Sequence, residues 1–413
     1  MCLVVVERVS DYDWCVQLRY SFRLYPTPGQ AQSLARAFGC ARVVFNDALA
    51  ARRAAYAAGL AYVTDREMSE RLTAAKGTPE RAWLGEVSSV VLQQSLADLN
   101  TAYRNFFASV TGKRKGPKIG PPRFRTRKDS RQAIRFTANA RFRVLDNGRL
   151  RLPKIGDVAV RWSRKLPSAP SSVTVIRDAA GRFFASFVVD VAPDPLPPTD
   201  GECGIDLGLG HFAVLDDGTK INSPRFLRRA EKRLRRLQRE LSRKQQGSAN
   251  RDKARVKVAR VHAKVADARR DFCHKLSTAI IRENQAVTVE DLAVRALART
   301  RLAKSVHDAG WSAFTSMLEY KAKLHGRTFT RIGRFEPTSQ VCSECGVKDG
   351  SKPLHVREWT CSACGTVHDR DVNAARNIVA LGRRETQNAC GGGVRPSPAV
   401  AAASETGTRR GAA

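Results

Sequence analysis

The chain has 413 residues, of which 42% are hydrophobic, and this size and composition suit a protein of two or three globular domains. Lysine and arginine number 72 against 39 aspartate and glutamate, which gives a formal net charge of +33. Such an excess predicts a large polyanionic partner. No stretch approaches the roughly 18–20 apolar residues of a membrane-spanning helix. The basic residues are spread along the whole chain, which disfavours a membrane surface as the partner.

Cysteine usage indicates a reducing compartment and a metal site. Four of the ten cysteines form two Cys-x-x-Cys pairs, and the others form no disulfide framework. The apolar run at residues 3–6 is too short for a signal peptide, because Glu7 ends it. We therefore expect a cytoplasmic protein.

The first half of the chain predicts a β domain that carries a helical insertion. Residues 17–25 alternate between apolar and polar and predict a strand. Thr27 and Pro28 are a typical helix start, and the pattern is helical from there to about Val110. Short alternating runs separated by turn residues return over 133–191. They predict a small antiparallel sheet or barrel that includes the first strand.

The second half predicts a mixed domain behind a proline-rich linker at 192–200. Two glycine-flanked apolar runs at 204–215 predict a hairpin, and leucine and valine stripes over 225–272 predict a pair of basic helices. Further segments predict a strand at 286–289, a helix at 311–324 and a strand at 328–332. The stretch from about Arg383 onward is rich in Gly, Ala, Ser and Thr, which is typical of a disordered tail.

The two cysteine pairs predict a zinc ribbon. Fifteen residues separate the pairs, and a glycine follows each pair, which lets backbone amides approach the sulfurs. Four thiolates leave no open coordination position, so we expect a structural zinc rather than a catalytic one. The predicted ligands are Cys342, Cys345, Cys361 and Cys364.

Three acidic residues stand where a catalytic role would explain them. Asp206 lies in a strand between two glycines, Glu290 closes an apolar strand, and Asp371 begins a segment typical of a helix. Each also has an ordinary explanation, as a turn residue, a strand-end charge or an N-cap. Together they fit nucleases whose carboxylates hold two metal ions about 4 Å apart. Such oxygen ligands select Mg²⁺ or Mn²⁺.

Two neighbouring acids leave part of this assignment open. Asp291 follows Glu290, and Asp369 precedes Asp371 by two residues. Strand alternation places Glu290 on the face opposite Val287 and Val289, which favours Glu290 modestly.

A basic segment at 113–128 contains no acid and is too rich in Gly and Pro for regular structure. Such a stretch can follow a nucleic-acid backbone and contact phosphates without reading bases. A solvated charge run is the alternative. The candidate residues are Lys113, Arg114, Lys115, Lys118, Arg123, Arg125, Arg127 and Lys128.

Short motifs follow one another in a fixed order from about Leu18 to Ile378. They are Tyr25-Pro-Thr-Pro28, Phe38-Gly-Cys-Ala-Arg42, Pro122-Arg-Phe124, Gly204-Ile-Asp-Leu-Gly208, Arg270-Asp-Phe272 with His274-Lys-Leu276, Glu290-Asp-Leu292, the first cysteine pair with Thr338-Ser-Gln340 before it, and Asp369-Arg-Asp-Val-Asn-Ala-Ala375. This ordered set resembles the TnpB family of transposon-encoded RNA-guided DNA endonucleases, relatives of the compact type V CRISPR effectors. The N-terminus departs from the family pattern, since residues 1–16 precede its usual start.

The resemblance implies a multidomain α+β architecture. It consists of a wedge-type β-barrel with an inserted helical recognition domain, then a RuvC/RNase H-like α/β nuclease domain with an inserted zinc ribbon. The implied boundaries are an N-terminal extension (1–16), the wedge barrel (17–30 and 130–195), the helical insert with its basic linker (31–129), the nuclease domain (201–335 and 366–382), the ribbon (336–365) and a disordered tail (383–413).

The resemblance also implies the activity and the partners. It makes Asp206, Glu290 and Asp371 the catalytic triad and implies Mg²⁺ or Mn²⁺, Zn²⁺ and a noncoding guide RNA as cofactors. Double-stranded target DNA would be cut beside a short adjacent motif, with the protein associated with the nucleoid of a prokaryotic cell. Recognition of that motif would lie in the helical insert, where glutamine suits adenine in the major groove. A solvated helix face is the alternative for these candidates: Tyr56, Ser89, Gln93 and Gln94.

Two other functions compete with the nuclease. A guided or zinc-ribbon DNA-binding regulator would lack cutting, and the intact carboxylates disfavour it. An RNase H-like transposase would share the triad and would be distinguished by joining of DNA ends.

Overall fold

The computed structural model describes residues 16–114, 116–129, 131–353 and 355–389. Lys115, the tail beyond 389 and the N-terminal extension except Val16 lie outside this range. The chain divides into two compact units. One contains the residues up to Asp194 together with Phe226–Arg269, and the other contains Pro195–Arg225 and the residues from Arg270 onward.

The first unit contains the antiparallel sheet that the alternating runs predict. Its seven strands lie in the order β2-β6-β7-β1-β5-β4-β3, so the first strand pairs with both β5 and β7. The inward side chains include Phe22, Phe136 and Phe187, all fully buried. The strands are β1 (Val16–Tyr25), β2 (Gln132–Thr137), β3 (Arg143–Val144), β4 (Leu150–Leu152), β5 (Gly156–Arg161), β6 (Ser172–Arg177) and β7 (Phe183–Val191).

Three helices are inserted between β1 and β2, as predicted: α1 (Pro28–Ala57), α2 (Asp65–Lys76) and α3 (Ser89–Val110). Thr27 caps α1 in a reciprocal capping box with Gln30, which confirms the predicted helix start. Leu34, Leu49, Leu92 and Leu99 form a fully buried seam in the same core as the sheet.

The predicted basic helical pair is present as α4 (Phe226–Ser242) and α5 (Ala249–Glu283). Leu234, Leu237 and Val261 form its buried seam. These are members of the predicted leucine and valine stripes, so periodicity alone identified the packed faces.

The second unit is built on a five-stranded mixed sheet in the order β10-β9-β8-β11-β12. The predicted hairpin is the antiparallel pair β8–β9, and β11 runs parallel to both β8 and β12. The strands are β8 (Glu202–Asp206), β9 (His211–Leu215), β10 (Lys220–Asn222), β11 (Ala286–Glu290) and β12 (Thr328–Ile332).

The remaining elements of this unit are four helices and a short antiparallel ribbon. The ribbon strand β14 leads directly into the last helix. The elements are α6 (Val294–Leu297), α7 (Ala303–Ala309), α8 (Trp311–Leu324), β13 (Glu358–Thr360), β14 (Val367–Asp369) and α9 (Arg370–Ala389).

Helix α9 continues further than the sequence analysis expected. The tail was predicted to begin at 383, but residues 383–389 are helical. Arg383 forms an ion pair with Glu202 on β8, and the Thr386 hydroxyl donates to the Gly382 carbonyl. These contacts extend the helix past the point at which its composition changes.

Two glycines let α9 lie directly on the sheet. A Cβ at Gly204 would overlap the Ala375 carbonyl and Val379, and a Cβ at Gly382 would overlap the Thr288 side chain. Only hydrogen fits at both positions, so the helix axis is held close to β8 and β11. No helix among the described residues is long and apolar enough to cross a membrane.

We predict that Gly382→Ala destabilises the protein by about 1–3 kcal/mol, because the new methyl group overpacks the helix–sheet interface. Gly39→Ala in α1 is the matched control, since its Cβ would meet nothing within 4 Å. The control should gain about 0.5–1 kcal/mol from helix propensity. Thermal melting compares the two, and a Gly382→Ala variant as stable as the Gly39→Ala variant would contradict this packing.

Candidate nuclease and metal centres

Two of the predicted carboxylates lie on neighbouring parallel strands at the same edge of the sheet. Val289 pairs with Ile205, so Asp206 and Glu290 are the next residues on β8 and β11. Strand alternation puts Asp206 on the face of Gly204, and Glu290 on the face of Thr288. Gly204 and Thr288 both face α9. Both carboxylates therefore lie on the α9 side of the carboxyl edge.

The direction of α9 brings Asp371 to the same edge. Arg383 contacts Glu202 at the start of β8, while Ala375 and Val379 lie over Gly204, so the helix runs antiparallel to this strand. The strand advances about 13 Å from Glu202 to Asp206. The helix spans about 18 Å from Arg383 back to Asp371, so its first turn reaches just past the end of β8.

The electrostatics of Asp206 links the three acids. Burial, together with the charges of Asp371 and Glu290, raises the pKa of Asp206 to about 7, while Arg370 and Arg357 oppose the shift. Burial, with the charge of Asp291, also raises the pKa of Glu290. Negative charge crowded at a partly buried edge is typical of carboxylates that bind metal cations.

The neighbouring acids are engaged elsewhere. Asp291 accepts a hydrogen bond from Arg334 at 2.6 Å. Asp369 caps α9 by accepting from the Asp371 and Val372 amides, and it binds Lys220 at 2.5 Å. Burial acts against it, but the bonds from Lys220 and the Val372 amide lower the pKa of Asp369. These contacts favour Glu290 over Asp291 and Asp371 over Asp369.

Sequence analysis missed the cation beside the third carboxylate. Arg357, two-thirds of the way along the ribbon segment, lies 3.3 Å from Asp371, and its side chain is 62% exposed. It immediately precedes β13, and no spacing rule connects it to the acids.

The four predicted zinc ligands converge. Their sulfurs all lie within 4.8 Å of one another, and no other cluster of three or more candidate ligands this tight occurs in the described part of the chain. The Cys342–Cys364 and Cys345–Cys361 sulfur pairs are each 3.7 Å apart. A tetrahedron with Zn–S bonds of about 2.3 Å has an edge of about 3.8 Å, so the cluster fits Zn²⁺.

Each cysteine pair is held in the same backbone turn. The Gly346 amide donates to the Cys342 carbonyl at 2.9 Å, and the Gly365 amide donates to the Cys361 carbonyl at 3.0 Å. Both glycines have a positive φ, +73° and +74°, which only glycine adopts without strain. The glycines therefore shape the turn that holds each cysteine pair.

Two buried asparagines connect the cysteine cluster to α9. The side-chain amides of Asn373 and Asn377 both donate to the carbonyls of Thr338 and Val341, at 2.7–3.3 Å. Asn373 also accepts from the Ser343 amide at 2.9 Å. The segment entering the first cysteine pair is thus fixed to the helix that carries Asp371.

The described residues of the predicted basic segment form no helix or strand, as expected, but their backbone is tethered. Asn46 exchanges two hydrogen bonds of 2.9 Å with the backbone of Arg125, and Arg53 donates to the Pro122 carbonyl at 2.7 Å. The Arg125 side chain is itself engaged by Asp98 and by the Phe45 ring. The exposed candidates are Lys113, Arg114, Lys118, Arg123, Arg127 and Lys128.

The four candidates for motif recognition differ in availability. Tyr56 is 88% exposed and Ser89 is exposed at the start of α3, whereas Gln94 is half-buried. Gln93 donates to the Ser69 hydroxyl at 2.9 Å, which occupies part of its amide.

Comparison with known proteins shows the family. The chain is 48% identical over 385 residues to a "putative RNA-guided DNA endonuclease" of Streptomyces pristinaespiralis, covering 92% of each protein. It is 33% identical over 380 residues to the "putative RNA-guided DNA endonuclease InsQ" of Escherichia coli K12, covering 88% of this chain and 92% of InsQ. This chain belongs to that family of TnpB-like RNA-guided DNA endonucleases, which confirms the resemblance inferred from the motifs.

Three sequence families match successive parts of the chain. They are described as a probable transposase (186–301), a Cas12f1-like TNB domain (311–378) and a helix-turn-helix domain (16–60). Over 16–60 the structure has instead one strand and a single 30-residue helix. The fold resembles that of Cas12f1 solved with its sgRNA and target DNA, with a TM-score of 0.54 at 12% identity, covering 88% of this chain and 99% of Cas12f1.

We predict one zinc ion per chain. Cys342→Ser removes a thiolate and should release the metal and unfold the ribbon, since zinc binding and folding are coupled. Elemental analysis gives the stoichiometry, and hydrogen exchange over 338–369 reports the local unfolding. Cys40→Ser, which alters a buried cysteine of α1, is the control and should retain zinc. Zinc-free wild-type protein that keeps its ribbon protected from exchange would contradict the assignment.

We predict that Asp206→Asn raises the melting temperature of magnesium-free protein by a few degrees above pH 7. The pKa of Asp206 is about 7 in the folded protein, against an ordinary value of 3.8. Its ionisation therefore destabilises the fold as pH rises from about 4 to 7, and the neutral amide avoids this cost. Below pH 4 the difference should vanish. Asp369→Asn should lower the melting temperature, and an equal rise for both variants would argue against crowding at Asp206.

Proposed function

We propose that the protein is an RNA-guided DNA endonuclease in which Asp206, Glu290 and Asp371 form the cutting centre. The observation that carries this proposal is the convergence of the three acids at one edge of the sheet, together with the raised pKa of Asp206. Membership of the RNA-guided endonuclease family supports guidance by RNA and DNA as the substrate.

The topology supports a RuvC/RNase H-like assignment for this sheet. An antiparallel three-stranded half, β10-β9-β8, is followed by the parallel strands β11 and β12. The first unit's sheet and its helical insertion suit the wedge barrel and the recognition insert. The domain boundaries implied by the resemblance stand as proposals, except at 383–389, which are part of α9.

The acids would bind Mg²⁺ or Mn²⁺, which supplies activated water and stabilises the leaving oxygen of a phosphodiester. Two ions about 4 Å apart need a wider set of ligands than one ion. The three carboxylates fit this requirement, because they interact electrostatically but are not among the groups whose ligand atoms converge as tightly as the four cysteine sulfurs. Asp206 and Glu290 are held by rigid strands, and Asp371 by the first turn of α9, where the helix dipole favours a carboxylate.

The cations near the centre have separate tasks. Lys220 neutralises Asp369 and keeps that carboxylate in its capping position. Arg357 is largely exposed beside Asp371, where a guanidinium suits bidentate contact with a phosphate of the substrate. Zinc would hold the ribbon and with it the loop that presents Arg357.

Nucleic-acid contacts would extend over the basic surfaces of the first unit. The exposed residues of the 113–128 segment are proposed to contact phosphates, and Tyr56, Ser89, Gln93 and Gln94 to contribute to recognition of the adjacent motif. Arg125 has a structural role beside Asp98, so its loss should affect folding as well as binding.

We predict that Asp206→Ala, Glu290→Ala and Asp371→Ala each slow target cleavage by several orders of magnitude while leaving target binding intact. Asp369→Ala is the matched control. It removes a cap and a partly exposed ion pair and should retain cutting after a loss of about 1 kcal/mol in stability. Cleavage of a plasmid by the purified ribonucleoprotein with Mg²⁺ provides the measurement. If Asp369→Ala abolishes cutting and Asp371→Ala does not, then Asp369 rather than Asp371 is the third metal ligand.

Guidance by RNA is tested by changing the guide. The purified protein should carry stoichiometric RNA, a replaced guide segment should redirect the cut, and RNase treatment should abolish it. Target binding without cutting by the wild type would support a regulator, and RNA-free joining of DNA ends would support a transposase.

A further inference from the structure

One aromatic side chain that follows the carboxyl edge of the mixed sheet lies almost entirely in solvent. Phe335 is 93% exposed, more than any other large hydrophobic side chain in the described residues. Single exposed hydrophobic residues are common on protein surfaces and need no explanation by themselves. Phe335 differs from such residues in its position at the edge of the sheet and in the hydrogen bonds that fix its backbone.

Phe335 follows the strand that neighbours Glu290. In the parallel pair β11–β12, Glu290 is opposite Ile332, the last residue of β12. Phe335 comes three residues later, so its Cα lies at most about 11 Å from that of Ile332. The ring is therefore presented at the carboxyl edge of the sheet, where Asp206 and Asp371 also lie.

The backbone that presents Phe335 is fixed on both sides. Gly333 and Glu336 close a turn through a 3.3 Å hydrogen bond, with Arg334 and Phe335 at its centre. Arg334 is held by the Asp291 carbonyl at 3.1 Å and by its carboxylate at 2.6 Å. After the turn, the carbonyl of buried Thr338 is bound by Asn373 and Asn377.

A rigid turn that holds an aromatic ring in solvent suits stacking on a flat ligand. Unpaired nucleobases stack on such rings without regard to sequence, and their backbone phosphates favour a strongly basic protein. When one phosphate of a DNA strand lies at the carboxylates, the bases one or two nucleotides away from it come within reach of the Phe335 ring.

We propose that Phe335 stacks on an unpaired nucleobase of the DNA strand at the cutting centre and so sets which phosphodiester lies at Asp206, Glu290 and Asp371. This inference rests on the proposed function. Arg334 is a positioning residue, because it holds the turn through Asp291.

The first test scans the DNA strand with abasic residues, one position at a time, through the cleaved region. With wild-type ribonucleoprotein, one or two positions should slow cleavage about tenfold, the size of a lost base–aromatic stack. Phe335→Ala should slow cleavage of intact DNA equally and should show no further loss at those positions. Its cut positions, read at single-nucleotide resolution, should spread.

Matched variants separate stacking from apolar contact. Phe335→Trp and Phe335→Tyr should restore the wild-type rate and profile, whereas Phe335→Leu should behave like Phe335→Ala. Val367→Ala, which truncates another exposed apolar side chain of the same unit, should leave the rate and profile unchanged. Identical abasic profiles for wild type and Phe335→Ala would overturn the proposal.

A second test does not depend on cutting. The Asp206→Ala protein is mixed with single-stranded DNA containing 2-aminopurine, whose fluorescence is quenched by stacking. Quenching that Phe335→Ala removes supports the stack even where wild-type protein shows no guided cleavage, which would reject only the proposed function. Quenching that does not depend on Phe335 would overturn the inference. Quenching seen only when the 2-aminopurine is placed in the guide RNA, or a dimer in solution that Phe335→Ala dissociates, would also overturn it.

Discussion

The close packing of α9 on the mixed sheet is the constraint on which the proposed cutting centre depends. Gly204 and Gly382 remove the two side chains that would hold the helix away from β8 and β11. The antiparallel direction set by Arg383 and Glu202 then places the first turn of the helix at the carboxyl edge. Asp371 reaches the edge that carries Asp206 and Glu290 because of this approach, although it lies 165 positions after Asp206 in the sequence.

The same helix ties the cysteine cluster to the centre. Asn373 and Asn377 face away from the sheet toward the carbonyls of Thr338 and Val341, and each is buried with its amide satisfied. A buried amide left without its hydrogen-bond partner destabilises a protein by more than the net free energy that the bond contributes. These hydrogen bonds therefore specify one arrangement of the cysteine segment on α9. If the proposed function holds, the ribbon influences catalysis without offering an open coordination position, since the Arg370 amide at the base of α9 donates to the Arg357 carbonyl.

Sequence reasoning recovered what local patterns determine. Periodicity located the strands and helices, and the spacing of Cys342, Cys345, Cys361 and Cys364 predicted a cluster that the structure brings together. Periodicity could not choose between Asp369 and Asp371, because the choice depends on Lys220, which is distant in sequence. Composition also placed the start of the tail too early at 383, because the contacts that extend α9 come from β8 and from within the helix.

The distribution of charge around the acids explains how a protein with a net charge of +33 can keep an anionic centre. Asp291 and Asp369 each have a dedicated cation, Arg334 and Lys220, and the Asp369 carboxylate also caps α9. Asp206 and Glu290 have no such partner among the described ion pairs, and burial together with the neighbouring acids raises the pKa of each. Of the five acids, only Asp371 combines a place in the centre with a cation, and Arg357 is exposed enough to exchange that carboxylate for a phosphate. Asp291 and Asp369 are therefore neutralised by cations of the chain itself. The acids of the proposed cutting centre would instead be neutralised by metal ions from solution.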